Sequence, residues 1–321
     1  MLLEKALESV LLQSFPQEEF EIIVADNGSS DCTKALCNAY KSRFSHFKYF
    51  FDETPGLHVG RHRGLKEAAS DILVYADDDI QALPSWLEAI WASFQDPAVM
   101  LVGGNNYPLY EHEPPAWMQR LWDDSATADG RCYGYLSILD FGSEEKGIDP
   151  QHVFGCNFSI RKNILLEAGG FHPDSMPQEL IRFRGDGETA VSEYLQNKSY
   201  TAVFNPQASV RHAVTRERMT REYLKKRSFN QGISDSFTAL RAGDPGGPAP
   251  DAGTPHEAAD SIPAGIGRAV KALGRGFSSR IFGDIHQDIR AAYLDGYNYH
   301  QKQYRSDPEV RAWVHRMQYY E

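Results

Sequence analysis

The sequence predicts an α/β protein built around a mostly parallel sheet. Short apolar runs alternate with amphipathic segments at regular spacing through the first half of the chain. The runs are rich in Ile and Val and too short for helices. Several end in polar or acidic residues, which places charge at the strand ends.

Each element follows in order. From Leu2 to Gln13, apolar residues at Leu2, Leu3, Ala6, Leu7, Val10 and Leu11 have helical spacing, and Pro16 stops the helix. "FEIIVADNGSSD" is a strand and a polar turn, after which Asp31 suits the N-cap of the helix "CTKALCNAYKSRF". "FKYFFDE", the turn "TPGLHVG" and the helix "RHRGLKEAA" make the next unit. "DILVYADDDI" and "LPSWLEAIWASFQ" make another, and "VMLVGGNNY" reads as one more strand. Between Pro108 and Asp149 the chain is rich in aromatics, Pro and acids, with Trp117 and Trp122 in a short helical stretch. "VFGCNFSIRKNILLEAGGF" is a strand or turn entering a helix that stops at Gly169 and Gly170. "GDGETAVSEYLQNK" is a helix, "SYTAVFNPQASVRH" a strand, a turn and a strand, and "TREYLKKRSFNQGISDSF" a basic helix. Near Ala242 the composition shifts to Pro, Gly and Ala, as in a linker or loop, before an aromatic-rich helical tail. These breaks divide the chain into a main domain at 1–238, a linker at 239–263 and a helical extension at 264–321.

Composition narrows the function. The chain has 321 residues, 41% of them hydrophobic, enough for a substantial core. A formal net charge of -11 argues against nucleic acid as a partner. No apolar run approaches the ~18 residues of a membrane span, and the start shows no basic signal-peptide region. Cys32, Cys37, Cys132 and Cys156 lack zinc or CxxC spacing and read as free thiols in a cytoplasmic protein. In parallel α/β sheets ligands gather at the carboxyl ends of strands. Asp26, Asn27, Asp77, Asp78 and Asp79 fall there, so the acidic triplet faces a place where a cation could neutralise it.

At this point the motifs carry a resemblance. "FEIIVADNGSSDCT", "DILVYADDDIQALPSWL", "GCNFSIRKNILLEAGGF" and "GDGETAVSEYL" stand in the same order as in the family 2 glycosyltransferases. The resemblance covers roughly Met1 to Ser236. It implies a GT-A fold with a Rossmann-like sheet, a nucleotide-sugar donor, and transfer with inversion. One departure stands out: family members usually open with an apolar strand and a "PTYN"-like turn, whereas Met1 lies directly at the first helix. The chain is therefore expected to lack a strand from the middle of the sheet, through a late-assigned start or a shortened protein.

The resemblance assigns roles to residues, and the chemistry fits them. Breaking an anomeric C–O bond leaves negative charge on a diphosphate, which Mg²⁺ or Mn²⁺ stabilises using oxygen ligands. Asp77 and Asp79, the D-x-D pair, are the expected metal residues; the resemblance implies that Asp79 ligates the metal while Asp77 contacts the ribose or a metal-bound water. Asp78 points away if the segment is extended, yet stays among the candidate donor-contacting residues. Helix capping is the competing role for these acids. Asp26 and Asn27 are expected to touch base and ribose, or to form an Asx turn. Arg61 matches an arginine near the diphosphate or base, and His212 a histidine near metal or diphosphate. Gly155 and Asn157 are expected to shape the sugar pocket. For the general base, "GDGETA" offers Glu188, preferred, and Asp186.

The expected enzyme is a metal-dependent, non-processive glycosyltransferase of polysaccharide or glycoconjugate biosynthesis. Its donor would be a UDP-sugar and its acceptor a glycan, a lipid-linked sugar or a small molecule. The aromatics of "YPLYEHEPPAWMQRLW" suit an acceptor platform or a core. Ile266, Val270, Leu273 and Phe277, beside Arg268, Lys271 and Arg275, allow peripheral membrane contact. A non-catalytic nucleotide-sugar or glycan binding protein is the alternative. Phosphoryl transfer of the D-x-D-x-T kind is disfavoured by Gln81 at the Thr position.

Overall fold

A computed structural model describes residues 1–243 and 279–320. The predicted membrane-contact residues and most of the predicted linker lie outside the described residues. The elements begin with α1 (Leu2–Leu11), β1 (Ile22–Asp26), α2 (Thr33–Tyr40), β2 (Phe47–Phe51), α3 (Leu57–Glu67), β3 (Ile72–Ala76), β4 (Ile80–Ala82) and α4 (Trp86–Ser93). Then come β5 (Val99–Gly103), β6 (Asn106–Tyr110), α5 (Ala116–Asp123), β7 (Arg131–Tyr133), β8 (Ile138–Asp140) and β9 (Lys146–Gly147). The rest are β10 (Asn157–Arg161), α6 (Lys162–Glu167), α7 (Thr189–Asn197), β11 (Thr201–Phe204), β12 (Val210–Val214), α8 (Arg221–Arg241), α9 (Ser279–Ser306) and α10 (Pro308–Val314).

The α/β class holds, but the pairing is mixed rather than mostly parallel. One sheet runs β3-β10-β5-β11-β9, a second β4-β12-β6-β8-β7, and β1 and β2 pair by themselves. Parallel pairs are β1 with β2, β5 with β11 and β6 with β12; β10 lies antiparallel between β3 and β5. "VMLVGGNNY" is two strands: the chain leaves the first sheet after Gly103 and joins the second at Asn106. The later pair β11 and β12 repeats this step, with Asn205 N–H donating to Gly103 O and Val210 N–H to Asn105 O.

The core lies on both faces of the first sheet. On one face, Leu65 of α3, Ile164 and Leu165 of α6, and Val191 and Leu195 of α7 pack on Leu101, Phe158 and Ile160. On the other, Trp86, Ala89 and Ile90 of α4 pack with Val99 and Val102. Burial of each such side chain contributes about 1.5–3 kcal/mol. The stretch read as an acceptor platform or a core contributes Met118, Leu121 and Trp122 of α5 to the core, where they pack with Tyr133, Tyr135 and Leu224, while Glu111, His112 and Glu113 are exposed. The end of the chain braces the domain. α8 and α9 cross so closely that a Cβ at Gly232 or Gly296 would meet the opposite helix's backbone. Beyond α10, Tyr319 packs edge-on against His58 and His172.

The first sheet and the β1-β2 pair leave a gap where the resemblance leads one to expect a strand. Among the described residues β1 bonds only to β2 and β3 only to β10. The other edges of β1 and β3 border one cleft of about 1150 Å³, whose walls include Leu3, Leu7, Val10, Gly60 and Gly64. Ile22–Ala25 are consequently only half-buried despite being apolar.

Candidate active site

The cleft's mouth is acidic. Asp26, Asn27, Asp77, Asp78 and Asp79 line it at the carboxyl ends of β1 and β3, with Arg61 and Arg218. Asp79 stands immediately before β4, and β4 pairs antiparallel with β12 so that His212 is opposite Ile80. Ala213 N–H donates to Asp79 O at 2.9 Å, which locks this register. As a result Asp77, Asp79 and His212 bring ligand atoms within 4.8 Å of one another.

The atoms of this trio fit a cation. Asp79 Oδ1 lies 3.2 Å from His212 Nε2, yet no donor satisfies that buried oxygen. Arg218 Nη1 lies 3.3 Å from His212 Nε2. With the ring proton on Nδ1, Nε2 presents its lone pair to Arg218 or to a cation that takes its place. Two carboxylates and an imidazole nitrogen are ligands suited to Mn²⁺ or Mg²⁺. Burial pushes the Asp79 carboxyl up, but His212 and Arg218 outweigh it and hold it below the usual range. Asp77 is raised, by desolvation first and by Asp79 against the pull of Arg61. Asp78 is exposed at the lip, outside the trio, and is raised by desolvation and by Asp79.

Arg61 links the trio to the candidate base. It is buried on α3, donates to Glu188 Oε2 at 3.0 Å and lies 3.8 Å from Asp77 Oδ1. Burial opposes its charge, but Glu188, Asp77 and Asp174 outweigh burial and raise its pKa. Gly155 makes room for it: a Cβ there would overlap the guanidinium, and Gly155 N–H donates to Glu188 Oε1 at 2.9 Å. Glu188 is thus held by two donors, Arg61 Nη1 and Gly155 N–H. Asp186 is turned away. Its Oδ1 meets His172 Nδ1 at 2.6 Å, and its Oδ2 accepts from Thr238 on α8 at 2.6 Å.

Other expected residues have structural work. Asp26 accepts from Tyr49 Oη at 2.6 Å and from Ser29 N–H at 2.8 Å, the turn role. Asn27 ties β1 to the next loop by donating to Thr54 O at 2.6 Å. Asn157 is buried. Its amide is spent in the core, accepting from Trp86 Nε1 and donating to Asn106 Oδ1 and Ala208 O. Sequence reasoning missed Arg218; two arginines, Arg216 and Arg218, stand in the loop after the His212 strand, and nothing local singles out the second.

The sequence model for glycosyl transferase family 2 matches residues 2–168. Among curated relatives, a glucosyl-dolichyl phosphate glucuronosyltransferase of Haloferax volcanii is 24% identical over 71% of this chain and 66% of its own. Glycosyltransferase AglE of the same organism is 31% identical over 53% of this chain and 51% of its own. Validoxylamine A glucosyltransferase of Streptomyces hygroscopicus is 31% identical over 54% of this chain and 41% of its own. The chain therefore spans less than two thirds of the length of these relatives. In fold it is similar to the mannosyltransferase PcManGT of Pyrobaculum calidifontis, solved with GDP-Man and Mn²⁺. That match has a TM-score of 0.58 and 16% identity, over 93% of this chain and 83% of the other. It is also similar to GalNAc-T7, solved with UDP, GalNAc and Mn²⁺, with a TM-score of 0.51 and 18% identity, over 77% and 48%. With the matched half of its length and this architecture, the chain belongs to glycosyl transferase family 2 and has a GT-A-like α/β fold.

Proposed function

We propose that the protein is a metal-dependent, inverting, non-processive glycosyltransferase of glycan or glycoconjugate synthesis. It moves one sugar from a nucleoside-diphosphate donor to an acceptor hydroxyl. The observation that carries this reading is the Asp77–Asp79–His212 trio at the mouth of a large cleft, with its unsatisfied Asp79 oxygen. These three residues would hold Mn²⁺ or Mg²⁺, which supplies Lewis-acid stabilisation of the departing diphosphate.

The chain's own residues supply the rest. Glu188 accepts the proton of the acceptor hydroxyl as that oxygen bonds to the anomeric carbon. The bond from that carbon to phosphate breaks, and its electron pair leaves with the nucleoside diphosphate. Arg61 and Gly155 N–H hold Glu188 in place. Two of its lone-pair sites are engaged, and a carboxylate has about four, so capacity for a proton is left. The relatives' names span a dolichyl phosphate sugar and validoxylamine A, which supports a lipid-linked or a small acceptor. The neighbours' titles name GDP and UDP, so both bases belong in the assay.

The test is calorimetry with UDP and GDP, with and without Mn²⁺, on the wild type and Asp79→Asn. Metal-dependent binding of one nucleotide is expected, weakened at least ~100-fold by the substitution, with the thermal midpoint little changed. Binding that ignores Mn²⁺ and Asp79→Asn would sink the proposal. A second reading, a nucleotide-sugar binding protein without turnover, draws support from the gap between β1 and β3. Binding without donor hydrolysis or transfer would select it.

A further inference from the structure

We infer that Arg218 is a resident counter-ion of the metal site, displaced when a divalent cation binds and then free to grip the donor's diphosphate. The inference rests on the proposed function and adds a residue that selects when the metal is held.

The geometry carries it. Arg218 sits in the short turn Glu217–Met219 that follows β12. Its Nη2 donates to Asp79 Oδ2 at 2.6 Å, and its Nη1 donates to Ala213 O at 3.0 Å and approaches His212 Nε2 at 3.3 Å. One guanidinium thus touches two of the three groups that would bind the cation. It neutralises Asp79 but leaves Oδ1 without a donor, so it fills the site only in part. A dication on these atoms competes with the guanidinium for His212 Nε2 and lies close to its charge at Asp79, and like charges at such distances repel strongly. Metal alone therefore binds against Arg218.

The displaced side chain has somewhere to go. Arg218 also lines the cleft, and its side chain keeps 27% of its surface exposed. It leaves β12 intact when it moves, since it belongs to the turn and not to the strand. Guanidinium groups match phosphate oxygens in a two-pronged geometry. A donor diphosphate would offer Arg218 a replacement for Asp79, so cation and donor favour each other's binding. By linkage, each raises the affinity of the other by the same factor. Such a site stays closed to free metal and opens to metal with donor.

The experiment measures Mn²⁺ affinity by calorimetry, alone and with UDP or GDP, for wild type, Arg218→Met and Arg218→Lys. Arg218→Met should bind Mn²⁺ alone about 10-fold tighter than wild type, because its competitor is gone. With Mn²⁺ saturating, it should bind the nucleotide diphosphate about 10-fold more weakly. Arg218→Lys keeps a charge but loses the forked grip, and should bind Mn²⁺ a few-fold tighter; it decides the matter should the methionine variant not fold. Mn²⁺ affinity that is unchanged or weaker in the folded variant, with wild type binding Mn²⁺ normally, overturns this inference and leaves the proposed function standing. Failure of every form to bind Mn²⁺, with or without nucleotide, overturns both.

Discussion

At the mouth of the cleft, Asp79 keeps a buried oxygen without a donor, 3.2 Å from His212 Nε2. Around Tyr319, Asp186 is equally buried, yet both of its oxygens are engaged, by His172 and by Thr238. The two acids have similar surroundings in composition and differ in what remains unmet. A buried oxygen without a donor is costly unless a ligand completes it, whereas Asp186, held between His172 and Thr238, fastens its loop to α8. The difference separates a site for chemistry from a brace for structure.

Three experiments sharpen or break this separation. The largest effect should come from acid, and it should act on the brace. Burial pushes His58, His62 and His300 down to about 4, against an ordinary value of 6.5. Their folded-state values lie below the unfolded one, so the stability they hold is complete above pH 6.5. It drains away as the pH falls from there through 4, because the unfolded chain takes up the protons. At about 1.4 kcal/mol per tenfold change in proton affinity, each could cost up to roughly 3 kcal/mol by pH 4. Urea unfolding between pH 7 and 4 checks this, and a flat midpoint would remove the histidines from the account.

The second effect is on turnover. Glu188→Gln should lower the rate by about 10²–10⁴-fold with little loss of fold, in keeping with removal of a general base. Asp186→Asn should do the reverse. It should cost about 1–3 kcal/mol of stability, the smallest of the three effects, while the rate per folded molecule stays near wild type. An inactive, stable Asp186→Asn beside a fully active Glu188→Gln would exchange the two roles.

The sequence displayed the mouth better than the sheet. Asp77 and Asp79 were legible because an apolar run ends in them, and strand ends collect ligands. His212 was legible as a histidine near a strand end; its approach to Asp79 depends on β12 pairing with β4, two segments 130 residues apart in the chain. The mixed pairing was not legible, because nothing local in "GCNFSIR" says that β10 enters antiparallel between β3 and β5. The surroundings of Asn157 were not legible for a related reason. Its neighbours in sequence are motif residues, but its partners Trp86, Asn106 and Ala208 come from three distant segments. Likewise the packing of Tyr319 on His58 and His172 follows from how the chain's end folds back, not from helical periodicity.

The gap between β1 and β3 has a colloidal consequence. Two unpaired strand edges beside apolar walls are a template on which a stray strand from another copy could add. Both ends of this gap carry acids: Glu18 and Glu19 at one, and Asp26 with Asp77–Asp79 at the other. An incoming copy of a chain with a net charge of -11 meets that ring before it meets the edges. The acids that suit a cation at the mouth thus act as gatekeepers against self-association, and salt that screens them should favour aggregation.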